Sequence, residues 1–318
     1  LKETFSISYG NYTFREALIV CLTKNGNSGY GECTAIDYYG INLNDFIQKL
    51  EKIKIQIENQ SIFHPTEFYT FLETLQLHSF LRSALDCAYW DLFGKLEKKS
   101  FLELNAIEIN KLPESSITIS VAPIEEQLQK IANSNWNKFK LKCNNYDQNA
   151  IDLLLKSGKE IALDANGSFS ADNCQQLEEN SSTANFTYIE QPLKIGISNY
   201  KQLNASKYAN WMADEDCQEA TKLSDLKSHY KTINIKLVKT GGLTPALQLI
   251  KDARANNLKI MIGCMTESTV GISAGAVLTP LVDYVDLDGA NLIANDIALG
   301  STIERGNVLL SDKPGLGI

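Results

Sequence analysis

Between residues 113 and 288, short apolar runs alternate with longer stretches of mixed polar and apolar residues. The runs fall at 117–121, 139–143, 161–165, 186–190, 211–214, 233–238, 260–264 and 284–287. Each is too short for a helix and reads as a short strand. Eight such strands, each separated by a helix-length segment, predict a closed βα barrel rather than an open sheet. Upstream the texture differs. Runs 17–23 and 29–34 flank Lys24-Asn25-Gly26-Asn27, whose Asn-Gly pair predicts a hairpin turn. Amphipathic helices follow near 43–58, 65–75 and 79–95, and Gly94 is placed to end the last. Residues 1–112 therefore read as an α+β segment.

In a βα barrel the chemistry sits where strands end and loops begin. The polar residues found there are Thr118 and Ser120 on the first stave, Lys140 and Lys142 on the second, then Asp164, Glu190, Asp214 and Lys236 on the next four. Cys264 and Met265 end the seventh, and Asp286 and Asp288 the eighth. From Lys142 to Asp164, Glu190, Asp214 and Lys236 the spacing is 22, 26, 24 and 22 residues, one βα unit each time. This predicts one common height on successive staves. Three carboxylates gathered there repel one another at low dielectric and call for a cation. Ligands that are all oxygen suit Mg²⁺, or Mn²⁺, rather than zinc. A lysine-bearing strand flanks the arc on each side, so a substrate held at the cation has an amine on either face. Lys140 and Lys142 point the same way on one strand, and mutual repulsion is expected to lower the Lys142 pKa and fit it as a base.

Composition narrows the class. The 318 residues carry 30 Lys+Arg against 38 Asp+Glu, a net charge of −8, which argues against a nucleic-acid partner. No apolar run approaches the roughly 18–20 residues of a membrane span. The seven cysteines are scattered without a CxxC pair, which predicts reduced thiols in a cytoplasm. No signal peptide is visible, and the opening Leu1 leaves room for a short preceding piece. Cys33 and Cys87 are expected to fill core space, and His64, His78 and His229 lie away from every strand end.

Phe139-Lys140-Leu141-Lys142, Leu163-Asp164-Ala165-Asn166-Gly167, Ile189-Glu190-Gln191-Pro192, Ala213-Asp214-Glu215-Asp216 and the segment from Ile235-Lys236 to Gly241-Gly242 resemble the successive signatures of the enolase superfamily, and within it the muconate lactonizing subgroup. Gly29-Tyr30-Gly31-Glu32, the 84–95 helix and the terminal Lys313-Pro314-Gly315-Leu316-Gly317-Ile318 extend the match over nearly the whole chain. The resemblance implies an α/β fold: a modified TIM barrel, (β/α)7β, at 113–300, under an α+β N-terminal capping domain at 1–112, with a tail at 301–318 returning to the cap. It implies Mg²⁺ held by Asp164, Glu190 and Asp214. Lys142 and Lys236 become the acid/base pair, and Lys140 the neighbour that tunes Lys142 and touches the substrate carboxylate. Lys236 is preferred over Lys239 because it stands at the strand end, several residues before Gly241-Gly242.

Val285-Asp286-Leu287-Asp288-Gly289 resembles the Asp-x-Asp motif of dipeptide epimerases, where the pair holds the α-ammonium of a dipeptide. A succinyl substrate would be repelled by that pair. The implied reaction inverts the α-carbon of the dipeptide's C-terminal residue: one lysine removes the proton and the other returns it from the opposite face. Thr118, Cys264, Met265 and Thr266 fall on substrate-lining positions. The commonest activity of this group is on L-Ala-D/L-Glu, in the reuse of cell-wall peptides. Gly10 stands where some members carry a glutamate-binding arginine, so Arg15, or the aromatic set Tyr9, Tyr12, Tyr38 and Tyr39, is left to form the side-chain pocket. The alternatives are another two-lysine enzyme (o-succinylbenzoate synthase, N-succinylamino acid racemase or a cycloisomerase), an epimerase of dipeptides other than Ala-Glu, or a non-catalytic binder on the same scaffold. The expected partner is a small dipeptide, with a second copy of the chain as a further candidate.

Overall fold

Asn25 and Gly26 both adopt positive φ (49° and 76°), as a two-residue hairpin turn demands. They join β3 (Ala17–Lys24) to β4 (Asn27–Thr34) in antiparallel register. Before them, the short strands β1 (Phe5–Ile7) and β2 (Gly10–Tyr12) form a second small hairpin that the sequence pattern does not signal. After them come α1 (Leu43–Glu58), α2 (Pro65–Thr74) and α3 (Ser79–Glu97). The His64 and His78 imidazoles cap α2 and α3, accepting from Thr66 N and Phe80 N. A computed structural model describes residues 1–204 and 206–318 of the chain.

Helix α3 runs on past Gly94 and ends at Glu97, with Lys98 in the left-handed region. Gly94 has a different task from helix termination. A Cβ there would sit 2.5 Å from the Gly315 Cα and 2.7 Å from the Lys99 carbonyl oxygen, so it lets the C-terminal tail approach the helix. Gly31 does the same for the hairpin, since a side chain would strike the Ala84 carbonyl of α3.

After the single turn α4 (Phe101–Leu104), eight parallel strands follow: β5 (Ile117–Ile119), β6 (Lys138–Lys142), β7 (Glu160–Asp164), β8 (Ile189–Glu190), β9 (Trp211–Ala213), β10 (Thr232–Lys236), β11 (Lys259–Gly263) and β12 (Tyr284–Asp286). They neighbour one another in chain order, and a parallel bridge between Ser115 and Val285 closes the ring. Every predicted barrel strand is present, within a few residues of its expected bounds. Between them lie α5 (Ile124–Asn133), α6 (Gln148–Leu155), α7 (Ala171–Glu179), α8 (Ile197–Tyr200), α9 (Leu223–Leu226), α10 (Leu237–Thr240), α11 (Leu243–Ala255) and α12 (Thr269–Ala276). A final hairpin, β13 (Thr302–Glu304) with β14 (Asn307–Leu309), precedes the tail.

Among the described residues there are two large apolar cores and a small cluster of Ala162, Tyr188, Met212 and Met261. One core fills the space between strands and helices around Phe139, Trp211, Tyr230 and Ile262; the other packs α2 and α3 on β3–β4 around Phe68, Phe80 and Leu85. Large side chains of this kind each contribute about 1.5–3 kcal/mol when fully buried. Cys33 and Cys87 are buried in these cores, as expected. Three buried cap carboxylates hold the rest of the chain through its backbone. Glu32 accepts from Ser268 N and Gly271 N at the start of α12, Asp86 from Thr244 N at the start of α11, and Asp91 from Leu316 N in the tail. No helix among the described residues is long and apolar enough to cross a membrane.

Candidate active site

At the C-terminal ends of the barrel strands, backbone register sets the geometry. Lys142 pairs with Asp164 and Asp164 with Glu190, so these three share one height. The partner of Glu190 is Met212, and Asp214 lies two residues further on, just past β9. The single-height expectation therefore holds for three residues and then steps. Strand stagger is what closes a barrel, and a step of two keeps side chains on the same face.

The two flanking lysines reach inward from opposite ends of the arc. Lys142 Nζ donates to Asp164 Oδ2 at 2.5 Å, and Lys236 Nζ to Asp214 Oδ2 at 2.7 Å. Lys140 Nζ is bound to Asp286 Oδ2 and stands 3.6 Å from Glu190 Oε2. Burial alone would lower the Lys140 and Lys236 pKa values. Asp286 and Glu190 reverse this for Lys140, and Asp214 and Glu190 for Lys236, so both lie above the usual lysine range. Asp214 moves the other way: against its burial, Lys236 and Lys239 hold it well below the ordinary carboxylate range.

Glu190 is the carboxylate without enough positive charge. Its Oε1 accepts from Asn234 Nδ2 at 2.7 Å, but its buried Oε2 has no hydrogen-bond partner. Burial and the charge of Asp164 push it up to about 8. Among the described residues, no three acidic, histidine or cysteine side chains already converge as a metal cage; lysine ammoniums stand between the carboxylates. A donor set made only of carboxylate oxygens, one of them unpartnered, nevertheless fits a hard divalent cation.

A cavity of about 90 Å³ opens over this arc. Lys140, Lys142, Asp214 and Lys236 line it, together with Thr118, Cys264, Met265, Thr266, Asp286 and Asp288. Asp164 and Glu190 lie beneath it, fully buried. The cap supplies Tyr9, Tyr12, Arg15, Tyr38 and Tyr39, all of them in the expected pocket set. Asp286 is engaged by Lys140 and by Ser116 Oγ, while Asp288 accepts from Thr118 N at 2.6 Å. Burial and Asp286 push Asp288 up to about 6. The Cys264 thiol is held well above its usual range by burial and Asp288, so it lines the cavity as a neutral group.

Some site residues carry no signal in the strand-end pattern. Lys239 Nζ donates to the Asp214 carbonyl and Oδ1, both at 2.5 Å, and to the Asn234 carbonyl at 3.2 Å. Gln191, at φ 38°, accepts from Asp214 N and Asp216 N through one amide oxygen, fixing the end of β9 relative to Glu190. Asn166, at φ 42°, joins Lys142 to Glu215. Gln191 and Asn166 each directly follow or nearly follow a carboxylate of the arc, and their positive φ is the kind of local strain found at functional sites.

Residues 124–318 match the family described as Enolase C-terminal domain-like. Over its full length the chain is 39% identical to 96% of an L-Ala-D/L-amino acid epimerase from a Maribacter species. This chain belongs to the enolase superfamily, among its dipeptide epimerases. A second such relative, the L-Ala-D/L-amino acid epimerase of Flavobacterium johnsoniae, is 35% identical over all of this chain and 96% of its own. Among solved structures, the dipeptide epimerase of Methylococcus capsulatus complexed with Mg and L-Arg-D-Lys aligns with a TM-score of 0.85, at 25% identity, over 100% of this chain and 95% of that one. As a dipeptide epimerase, the protein is an isomerase. Its barrel ends and cap loop are the elements that a substrate of this family would meet.

Proposed function

We propose that the protein inverts the α-carbon of the C-terminal residue of L-Ala-containing dipeptides, L-Ala-D/L-Glu among them, by two-lysine 1,1-proton transfer. The observation that carries this reading is the placement of Lys142 and Lys236. They come from β6 and β10, on opposite sides of the Asp164–Glu190–Asp214 arc, and both line one cavity. Asp164, Glu190 and Asp214 would hold Mg²⁺, with Mn²⁺ a substitute. Bound there, the ion would supply positive charge for the negative charge that develops when the α-proton leaves. Lys140 meets the substrate carboxylate, and Asp288, supported by Asp286, receives the dipeptide's ammonium. One of Lys142 and Lys236 takes the proton and the other delivers a proton to the opposite face, the roles exchanging with the configuration of the substrate. The cap, residues 1–112, closes over the barrel, 113–300, and the tail, 301–318, ties the two.

The seven cysteines are all free, which supports work in a reducing cytoplasm. There the reaction would serve the reuse of cell-wall peptides. The test is turnover of a dipeptide panel in ²H₂O. Deuterium entering the α-carbon of the C-terminal residue, with both epimers formed, is expected. Lys142→Ala and Lys236→Ala should each abolish inversion. Lys236→Ala protein that still inverts the centre, or turnover confined to succinyl compounds, would overturn the reading.

A further inference from the structure

Tyr9 and Glu215 lie 206 residues apart and meet at the mouth of the cavity, where the Tyr9 hydroxyl donates to Glu215 Oε1 at 3.0 Å. The Tyr9 ring stacks on Tyr38 with centroids 4.5 Å apart, and Tyr38 meets Tyr39 edge-on at 5.0 Å. Tyr9 and Tyr38 are 41% and 37% exposed and also line the cavity, so the two rings border both the cavity and solvent. Asn166 Nδ2 donates to the same Glu215 oxygen at 3.1 Å, and Asn166 Oδ1 accepts from Lys142 Nζ at 3.4 Å. Ser8 Oγ adds a bond to the Asn166 carbonyl. The loop between β1 and β2 thus meets Glu215 through Tyr9 and the Asn166 carbonyl through Ser8, and Glu215 is linked through the Asn166 amide to a cavity lysine. Glu215 is 3% exposed and, among the described residues, its other oxygen has no partner, so Tyr9 supplies one of the two side-chain hydrogen bonds seen there to a buried carboxyl.

We propose that Tyr9 is the latch of the substrate cavity, that Glu215 is the positioning residue on which it closes, and that Asn166 carries the latched state to Lys142. The assignment rests on the cavity being the dipeptide site. A hydrogen bond to a buried carboxyl oxygen is strong enough to hold a short loop closed and weak enough to open on each turnover. The latched ring pair excludes water while the proton is in transit, and opening the latch lets the product leave.

Two measurements test it, one without substrate. In the free protein, hydrogen exchange of the amides in segment 5–12 should quicken about tenfold in Tyr9→Phe, which loses only the hydroxyl. With an accepted dipeptide, Tyr9→Phe should lower kcat/KM about tenfold, and the loss should vanish in a Glu215→Ala background. Glu215→Gln, which keeps an acceptor oxygen, should fall between wild type and Glu215→Ala. Thermal unfolding checks that each variant is folded. Unchanged loop exchange in Tyr9→Phe, or a kcat/KM loss of the same size in the Glu215→Ala background, would overturn the latch. Faster loop exchange in a protein that epimerises no dipeptide would leave the latch standing and remove the substrate reading instead.

Discussion

Lys239 Nζ lies 2.5 Å from Asp214 Oδ1, while Lys236 Nζ holds the other oxygen of the same carboxylate at 2.7 Å. Lys236 stands at the start of the single turn α10 and Lys239 within it, and the two divide the work. Lys236 opens onto the cavity; Lys239 is enclosed in the wall and also binds two backbone carbonyls. Lys239 is thus a fixed countercharge, and its removal leaves Asp214 half-compensated in a buried place. Lys239→Met is expected to cost about 3 kcal/mol of folding stability, measured by urea unfolding. Stability within 1 kcal/mol of wild type would show that Lys236 suffices alone.

Glu190 leads to a pair of effects with opposite signs. Glu190→Gln removes a carboxyl that folding buries short of countercharge and pushes up to about 8, so the metal-free variant should unfold at a higher temperature than metal-free wild type near neutral pH. Its amide oxygen can still accept from Asn234. The same change should weaken Mg²⁺ binding, by calorimetric titration, by at least the roughly 10–100-fold that loss of a supporting hydrogen bond costs. Equal Mg²⁺ affinity in the two proteins would exclude Glu190 as a ligand.

Glu32 reaches from the cap to the start of α12, and the residues immediately before that helix line the cavity. It accepts from Ser268 N at 3.0 Å, Ser268 Oγ at 2.5 Å and Gly271 N at 3.0 Å. Glu32→Ala should cost about 2–3 kcal/mol through the buried donors it strands. It should also raise KM more than it lowers kcat, since Cys264, Met265 and Thr266 lose their anchor. Glu32→Gln should recover most of both. An unaltered KM in a folded Glu32→Ala protein would separate the clamp from substrate binding.

Asp86 predicts a pH dependence. Burial pushes its carboxyl up to about 7, although Thr244, the Leu243 amide and Arg82 pull it down. The folded state therefore keeps its proton where the unfolded chain has released it. Stability from this group is greatest below the ordinary carboxylate pKa, is lost progressively from about pH 4 to about pH 7, and is level above that. Asp86→Asn can still accept from Thr244 N and has no proton to lose. Its stability relative to wild type should improve between pH 4 and pH 8, read by denaturant unfolding at each pH. A constant difference across that range would contradict the assignment.

The barrel was legible because its short, mainly apolar strands recur at one βα unit's spacing, with helix-length segments between them. Lys142, Asp164, Glu190 and Lys236 stood out as the charged residues that end such runs. What the pattern did not carry was contact made at long range. The β1–β2 hairpin is only three residues a side, too short to show a period, and it docks on the barrel, where Val121 N donates to Ser6 O. Gly94 resembled a helix stop, but its lack of a side chain answers to Gly315, on the far end of the chain. The step in height at Asp214 follows from strand stagger, which spacing counts cannot express. Glu215, Asn166 and Gln191 sat inside recognisable motifs, yet their tasks depend on Tyr9, Lys142 and Asp216, which the fold brings to them.

The three cap carboxylates have a consequence for protein engineering. Glu32, Asp86 and Asp91 each clasp main-chain amides, which any sequence offers, but only at the spacing of this particular pair of surfaces. A chimera built by grafting another family member's N-terminal half onto this barrel would retain the amides and lose the clasps unless all three acids landed in register. Substrate preference is therefore better altered by exchanging individual residues of the loop than by exchanging whole halves.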